Sequence, residues 1–342
     1  MATSKIATAG PTGDLITFGQ EPNSGYPRAI TTSDGTLLAT YRWNDDTIMK
    51  IVVKSSQDQG ATWTDPVDVI SWARAKSDLN NPFLFQRSSG ELLCAYKRYL
   101  YDNGALWQIN LDVSQSTDGG KSWSRIGSIV SEPNEAILGE WEPFLREASD
   151  GTLEAYYAHE FNGADQDVVK RTSTDGGANW SDITTVAGAG LTDERDGMPQ
   201  VVALEDGTLM LVYESNSGSR GSERPIRVWA STSSDGGATW VDPHIIFDPG
   251  QGQAGGPGIV NVPGLLVVSF MTNQDQPDGD YSDPTLQYVD MKVITSGDGG
   301  ATWSPPTKVI PQAGWGGVTA VEGGVMVLAA THDQTVVMQK FT

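Results

Sequence analysis

The chain has 342 residues, of which 43 are acidic and 22 are basic, and its formal net charge is −21. Such an acidic surface repels nucleic-acid phosphates and anionic lipid, so we expect neither nucleic acid nor a membrane as a partner. The single cysteine, Cys94, excludes an intrachain disulfide and a cysteine-based metal site, and its apolar surroundings in the sequence predict a buried thiol.

Neither a transmembrane helix nor a signal peptide is predicted. No run of about 18 apolar residues occurs. Residues 1–10 lack the apolar stretch that a signal peptide needs. We expect an extracellular mature chain to which a start methionine has been added, and the cytoplasm is the alternative location.

The predicted elements begin with a strand near Leu15-Ile-Thr-Phe18 and continue with six strand–hairpin–strand units. In each unit a proline stands eight residues before a turn glycine, and apolar or alternating segments follow the glycine. The pairs are Pro27 with Gly35, Pro82 with Gly90, Pro143 with Gly151, Pro199 with Gly207, Pro257 with Gly264 (one residue closer), and Gly316, in place of proline, with Gly324.

A second repeat follows each of the first five hairpins. The pattern Ser-x-Asp-x-Gly-x-x-Trp recurs about every 60 residues, starting at Ser56, Ser116, Ser173, Ser233 and Ser296. Its Asp can accept hydrogen bonds from backbone N–H groups of its own loop, and its Gly permits positive φ. Its Trp can pack back over the strands. We therefore interpret the five motifs as structural turns and expect none of their Asp residues to be catalytic.

Together the repeats predict an all-β fold, a six-bladed β-propeller. Six units in 342 residues give about 57 residues each, the size of a four-stranded blade. The sixth unit has only three strands, so the N-terminal strand is expected to supply the fourth and to close the ring. Residues 1–342 are then a single catalytic domain, which we expect to be monomeric.

The mouth of the funnel is expected where first strands begin and second strands end. The residue before each proline differs in every unit: Tyr26, Asn81, Glu142, Met198, Gly256 and, before Gly316, Trp315. The residue seven positions after each turn glycine also differs: Arg42, Lys97, Ala158, Glu214, Met271 and Thr331. A repeated frame with an unrepeated mouth indicates one central site grafted on the scaffold.

Two carboxylates at these positions, Glu142 and Glu214, are candidate catalytic residues. They lie on neighbouring blades, and paired carboxylates suit glycoside hydrolysis, one as general acid/base and the other as nucleophile or base. Each could instead form a structural ion pair. Glu160, two positions beyond the level of Glu214, is the rival for a catalytic role.

Further mouth positions carry side chains that suit sugar recognition. Charged and amide groups can bind hydroxyls, and a Trp face stacks on a sugar ring. The candidate substrate-binding residues are Tyr26, Arg28, Trp43, Asp45, Asn81, Trp141, Tyr157, Glu160, Arg195, Asp196 and Trp315. Three histidines without paired spacing argue against a catalytic zinc, so we expect no metal and no other cofactor.

The five boxed turns resemble the Asp boxes of the sialidase-like superfamily, which implies the propeller fold. A closer resemblance is to the exo-1,5-α-L-arabinanases, glycoside hydrolase family 93. The segments that carry it are Tyr26-Pro-Arg28-Ala, Asn81-Pro-Phe83, Trp141-Glu-Pro-Phe-Leu145, Asp165-Gln-Asp167, Arg195-Asp-Gly-Met198, Tyr213-Glu214 and Val268-Ser-Phe-Met-Thr272.

This resemblance implies exo-acting release of arabinobiose from linear α-1,5-L-arabinan with retention of configuration. Glu142 would be the acid/base and Glu214 the nucleophile, at a separation of about 5–5.5 Å. We expect burial and the neighbouring carboxylate to raise the pKa of the acid.

Three alternatives remain open. A sialidase needs three arginines around a carboxylate and a late tyrosine nucleophile; Arg28 can be the first, but no arginine follows Arg227 and no tyrosine follows Tyr288. Another exo-glycosidase would keep the two glutamates and change the subsites. A carbohydrate-binding propeller without catalysis would repeat one ligand site in every blade, whereas the mouth residues differ.

Overall fold

The computed structural model describes residues 10–135, 138–188, 194–217, 225–276 and 286–342. These residues form six four-stranded antiparallel sheets, and the first strands of the sheets contact one another in a closed ring. The all-β, six-bladed β-propeller predicted from the repeats is therefore confirmed. The segment of residues 1–9, where we expect no signal peptide, lies outside the described residues.

Each of the first five blades contains four consecutive strands, ordered from the channel outwards. Blade 1 contains β2 (Gly25–Thr31), β3 (Leu37–Asn44), β4 (Ile48–Ser56) and β5 (Val67–Ala73). A 3-10 helix, η1 (Arg74–Lys76), leads into blade 2, which contains β6 (Ser77–Gln86), β7 (Leu92–Asp102), β8 (Ala105–Ser116) and β9 (Ser124–Pro133).

The remaining blades follow the same order. Blade 3 contains β10 (Gly139–Glu147), β11 (Leu153–Asn162), β12 (Asp165–Ser173) and β13 (Thr184–Ala187). Blade 4 contains β14 (Asp196–Ala203), β15 (Leu209–Ser215), β16 (Arg227–Ser233) and β17 (Val241–Phe247). Blade 5 contains β18 (Ala254–Val262), β19 (Leu265–Thr272), β20 (Asp290–Ser296) and β21 (Thr307–Ile310).

Blade 6 is closed by the N-terminal strand, as expected from its missing fourth strand. It contains β22 (Ala313–Val321), β23 (Gly324–Thr331), β24 (Val336–Phe341) and β1 (Pro11–Gly19). β1 pairs with β24, with Ile16 opposite Met338. This pairing covers the open edge of the last sheet, so both ends of the described chain stabilise the ring.

The core is divided among the six interfaces between neighbouring blades, each of which has its own cluster of buried apolar side chains. Cys94 belongs to the cluster between blades 1 and 2 and is fully buried, which confirms the predicted apolar role of its thiol. Within the described residues no helix has the length and apolar character needed to span a bilayer.

The boxed turns join third and fourth strands on the face opposite the mouth. In blade 2, Asp118 accepts hydrogen bonds from the backbone N–H (3.0 Å) and hydroxyl (2.6 Å) of Ser122. Ser116 Oγ accepts from the N–H of Gly120, and Trp123 Nε1 donates to the carbonyl oxygen of Gly120. The hydrogen bonds from Ser122 and Ser116 lower the pKa of Asp118 to about 2. These contacts are all within the turn, as a structural role requires.

The turn of the sixth hairpin lies one residue earlier than the sequence comparison placed it. Val321 pairs with Gly324, so the turn glycine is Gly323. As a result Ala330, which pairs with Gly314, holds the mouth position seven residues after the turn glycine, where Thr331 was expected. Gly316 replaces the proline of the other blades because a Cβ at this position would overlap the carbonyl oxygen of Leu328.

Candidate active site

One residue near the start of every first strand is forced out of the regular sheet. The first and second strands of each blade lose register there, so that two residues of the first strand oppose one of the second. The displaced residues have φ between 51° and 60° and are Tyr26, Asn81, Glu142, Met198, Gly256 and Trp315. Left-handed backbone at five non-glycine residues is strained, and such strain is concentrated at functional sites.

Four of these displaced residues, Tyr26, Asn81, Glu142 and Trp315, line a cavity of about 470 Å³, a size typical of a small-molecule site. Five residues predicted from the sequence line this cavity: Tyr26, Asn81, Trp141, Glu142 and Trp315. A narrow continuation below the cavity is lined by Tyr26, Asn81 and Glu142 together with Arg28 and Met198.

Glu142 lies between this cavity and its continuation, on β10. Burial and the negative charge of Glu214 raise the pKa of Glu142 to about 8. The positive charges of Lys97 and Arg28 and a hydrogen bond from the backbone N–H of Met198 act in the opposite direction. Glu142 is thus a carboxylic acid that stays protonated at neutral pH beside a second carboxyl group.

Glu214 is the penultimate residue of β15 on the neighbouring blade and pairs across the sheet with Gly197. It is not among the residues that line the cavity or its continuation. Its Oε2 accepts a hydrogen bond of 2.7 Å from the backbone N–H of Gly256, which fixes the carboxylate. Burial raises the pKa of Glu214, while this hydrogen bond and the charge of Arg195 lower it. The negative charge of Glu214 raises the pKa of both Glu142 and Tyr26, so Glu214 is electrostatically coupled to both groups.

An aromatic and cationic wall lies beside the glutamates. The rings of Tyr26 and Trp315 stack with centroids 6.3 Å apart. The guanidinium of Arg28 lies 4.3 Å from the Tyr26 ring centroid and donates to the carbonyl oxygens of Pro27 (2.8 Å) and Trp315 (2.9 Å). The Tyr26 hydroxyl contacts Met198 Sδ at 3.0 Å, and burial raises the pKa of Tyr26.

The opposite wall is built around Lys97 on β7. Its ammonium group forms an ion pair of 2.7 Å with Asp78. It also lies 4.3 Å from the Trp141 ring centroid and 4.5 Å from that of Tyr99. These contacts hold the charge of Lys97 near Glu142 and orient the Trp141 ring in the cavity wall.

The cavity also contains residues that were not selected as site candidates from the sequence. They come from blades 1, 2, 5 and 6 and are Asn23, Ser24, Gly25, Arg42, Asn44, Arg74, Asn80, Lys97, Leu286, Ala330, Thr331 and Gln334. Arg42 and Lys97 hold the same position in their blades as Glu214 in blade 4. Each lies on the second strand and pairs with the first-strand residue that precedes the displaced residue. The repeat itself was therefore the signal that identifies them.

Three other residues predicted from the sequence to bind substrate do not line the cavity. Trp43 lies on the other side of β3 from Arg42 and packs against apolar side chains between blades 6 and 1. Asp45 accepts hydrogen bonds from the N–H groups of Thr47 and Ile48 in an exposed turn. Tyr157 is fully buried, and its hydroxyl accepts from Arg171.

Glu160 and Arg195 form an ion pair of 2.8 Å between blades 3 and 4, outside the cavity. Arg195 also donates to Gln166 Oε1 (2.7 Å), and Gln166 donates in turn to the carbonyl oxygen of Asp196 (3.0 Å). This network links β12 to the start of β14, the strand that pairs with the segment carrying Glu214. Glu160 is thereby paired with a cation, as a structural ion pair requires.

Asp196 belongs to a buried acidic cluster between blades 3 and 4, with Asp165 and Asp167. Each has an oxygen without a hydrogen-bond partner, and each is at least 94% buried. Burial, with the nearby negative charges, raises the pKa of Asp196 to about 7 and that of Asp167 to about 6. A Cβ on Gly188 would strike both Asp167 and Asp196, so the two carboxyls share one confined space.

None of the described His, Cys, Asp and Glu residues forms a group of three or more arranged to hold a metal ion.

A sequence profile of the BNR repeat-like domain matches residues 35–183 and 207–338. The chain belongs to the BNR repeat-like domain family. The matched segments contain the boxed turns and the hairpins of the propeller, and they include both Glu142 and Glu214.

Individual members and neighbours of the BNR repeat-like fold differ in what they act on. A sialidase of Bacteroides fragilis is 25% identical over 327 residues, 85% of this chain; the chain spans about half, 56%, of that relative. A Penicillium chrysogenum α-L-arabinanase in complex with arabinobiose has a TM-score of 0.71 at 19% identity, with 98% of each chain covered. A Fusarium graminearum GH93 α-L-arabinofuranosidase with arabinobiose has a TM-score of 0.70 at 21% identity, again with 98% of each chain covered. These structural similarities establish a common fold.

Proposed function

We propose that the protein is an exo-acting glycoside hydrolase that releases arabinobiose from the end of linear α-1,5-L-arabinan with retention of configuration. The observation that carries the proposal is the carboxyl pair at the funnel mouth. Glu142 lines the cavity beside the aromatic wall, and its pKa is about 8 because of burial and of the charge on Glu214 of the neighbouring blade. The two arabinan-active neighbours of the same fold support the choice of substrate.

In the proposed first step, the ionised carboxylate of Glu214 attacks the anomeric carbon while Glu142 gives its proton to the departing glycosidic oxygen. The C–O bond to the leaving chain breaks, and an ester bond to Glu214 forms. In the second step, ionised Glu142 takes a proton from water, the water oxygen attacks the anomeric carbon, and the ester bond breaks. Glu142 is suited to the first role because its pKa keeps it protonated at neutral pH.

Preorganisation of Glu214 supports its role as nucleophile. The hydrogen bond of 2.7 Å from Gly256 N–H holds one oxygen, and the charge of Arg195 favours the ionised form. The stacked pair Tyr26 and Trp315 offers an apolar face to a sugar ring, and Asn81 offers an amide to its hydroxyls.

A second candidate substrate, a sialylated or other acidic glycan, is favoured by the charge of the cavity wall. Arg42, Arg74 and Lys97 line the cavity of a chain whose net charge is −21. Arg42 donates to the neutral oxygens of Asn23 and Asn44, and in the described part of the chain no carboxylate forms an ion pair with it. The similarity to the Bacteroides fragilis sialidase agrees with this alternative.

The test is product analysis with debranched arabinan and with sialyllactose, using the wild-type protein, Glu142→Gln and Glu214→Gln. We expect a disaccharide from arabinan, no sialic acid, and a loss of several orders of magnitude in kcat for both variants with unchanged melting temperatures. The control variant is Glu205→Gln, an exposed glutamate of the opposite face that should retain wild-type activity. Release of sialic acid alone would favour the second candidate, and full activity of either active-site variant would contradict the proposed pair.

A further inference from the structure

A large aromatic side chain outside the cavity, Trp72, remains without a role in the proposed mechanism. It stands next to the end of β5, the outer strand of blade 1, and is 41% exposed. β5 ends on the face that carries the mouth, because strands alternate in direction and β2 begins there. The Trp72 ring is therefore available to a partner at the mouth face, and an indole face can stack on a sugar ring.

The indole of Trp72 is held in place from one side. The guanidinium of Arg98 lies 5.4 Å from the Trp72 ring centroid. Arg98 is itself fixed by an ion pair with the fully buried carboxylate of Asp112, which Ser128 also contacts at 2.6 Å. One side of the ring is therefore anchored by a rigid cation, while much of its surface remains open to solvent.

Trp72 is continuous with the wall of the cavity. Two residues later, η1 begins with Arg74, which lines the cavity and donates to the carbonyl oxygen of Asp45 at 2.9 Å. Two residues of chain place the Cα atoms of Trp72 and Arg74 at most about 7 Å apart. Arg98, the anchor of the indole, follows Lys97 of the cavity wall on β7, and because side chains alternate along a strand it faces blade 1 instead of the cavity. The exposed ring thus stands between blades 1 and 2, within two residues of the cavity wall.

We propose that Trp72 is an outer sugar-binding subsite for the part of the polysaccharide that leaves the cavity. The terminal units occupy the cavity, the chain passes over Arg74, and a sugar ring of the leaving-group side stacks its C–H face on the indole. Arg74 and Lys76, both exposed in η1, donate hydrogen bonds to the hydroxyls of the same segment. This inference rests on the proposed glycoside hydrolase function and adds the recognition of a polymer to it.

Trp107 provides a matched comparison. It is 48% exposed, near the start of β8, the third strand of blade 2. Its backbone contacts Asn134, and neither residue lines the cavity. Removing the indole of Trp107 deletes about as much exposed aromatic surface as removing that of Trp72. Trp107, however, does not lie next to Arg74 in the chain.

The experiment compares Trp72→Ala, Trp72→Phe and Trp107→Ala by their KM for debranched arabinan and for arabinotriose. The ratio of the polymer KM to the trisaccharide KM should rise about tenfold in Trp72→Ala, the effect of one lost ring stack. Trp72→Phe should restore most of the wild-type ratio, and Trp107→Ala should equal the wild type. An unchanged ratio in Trp72→Ala, or the same rise in Trp107→Ala, would overturn the subsite.

A separate binding measurement distinguishes this inference from the proposed function. If the wild-type protein hydrolyses no arabinan, the proposed function fails. The role of Trp72 is then tested by the retardation of the protein during electrophoresis in gels that contain arabinan or a sialylated glycan. Weaker retardation of Trp72→Ala than of both the wild type and Trp107→Ala supports the subsite. Equal retardation of all three proteins, or none, overturns it.

Discussion

Replacement of Asp196 by Asn should remove a pH-dependent loss of stability that the acidic cluster between blades 3 and 4 produces. Asp196 is 3% exposed, and burial raises its pKa from 3.8 to about 7. The folded state therefore retains the proton over a range of pH in which the unfolded chain has lost it. The stability contributed by the protonated carboxyl is complete below about pH 4 and is lost as pH rises to about 7.

The size of the effect follows from the change in pKa. At about 1.4 kcal/mol per pKa unit, a rise from 3.8 to about 7 corresponds to about 4 kcal/mol of unfolding free energy. For a chain of this length the unfolding entropy converts this to about 6 °C in Tm. Asn has nearly the shape of Asp, can keep the contact with the Ser215 hydroxyl and stays neutral at every pH. Asp196→Asn should thus match the wild type at pH 4.5 and melt about 6 °C higher at pH 8.

The assay is a series of thermal unfolding curves between pH 4.5 and 8.5, followed by circular dichroism. Asp65→Asn serves as the control, because Asp65 is exposed and its replacement changes the net charge by the same amount. A wild-type Tm that stays constant between pH 5 and 8, or an Asp196→Asn variant less stable than the wild type at pH 8, would refute the reasoning.

Three further predictions concern the site and the scaffold. Lys97→Met should raise the pKa of Glu142 above about 8, because the positive charge that lowers it is lost, and the alkaline limb of the kcat/KM profile should move to higher pH; a limb that stays or moves down contradicts this. Gly316→Ala should lower Tm strongly, since its Cβ would overlap a backbone carbonyl of β23, while Gly163→Ala, with open space around it, should not. Asp118→Ala should lower Tm with kcat/KM unchanged, because its hydrogen bonds serve a turn on the face opposite the mouth; an equal Tm would show that the turn does not need the carboxylate.

The propeller could be predicted from the sequence because its turns depend on local chemistry. Asp118 and its four counterparts bind only atoms of their own loops, so one short pattern specifies the structure wherever it occurs. The short sixth blade was equally informative, since three strands need a fourth and β1 supplies it. The turn at Gly323 was misplaced by one residue because neighbouring glycines offer two possible turns.

Many of the residues at the mouth could also be predicted from the repeat, because the bulge occurs at the same repeat position in every first strand. Tyr26, Asn81, Glu142 and Trp315 all have positive φ and all reach the cavity. Trp43 was selected for its aromatic ring, although side chains alternate along a strand and its neighbour Arg42 is the one that faces the cavity.

The acidic cluster could not be predicted in the same way. Asp165 and Asp167 lie on β12 and Asp196 on the next blade, so their proximity depends on how two blades pack. No local pattern in the sequence records that distance. The same holds for the link between Arg98 and Trp72, which joins blade 2 to blade 1.

The central claim is that Glu214 is the nucleophile and Glu142 the acid/base of a glycoside hydrolase. The most direct test is to trap the glycosyl–enzyme ester with an activated 2-deoxy-2-fluoro arabinobioside and to locate the added mass by peptide mass spectrometry. The account predicts one added glycosyl group per chain, on the peptide that contains Glu214, and none in Glu214→Gln. A label on a tyrosine or on another carboxylate, or an unlabelled protein that still cleaves arabinan, would contradict it.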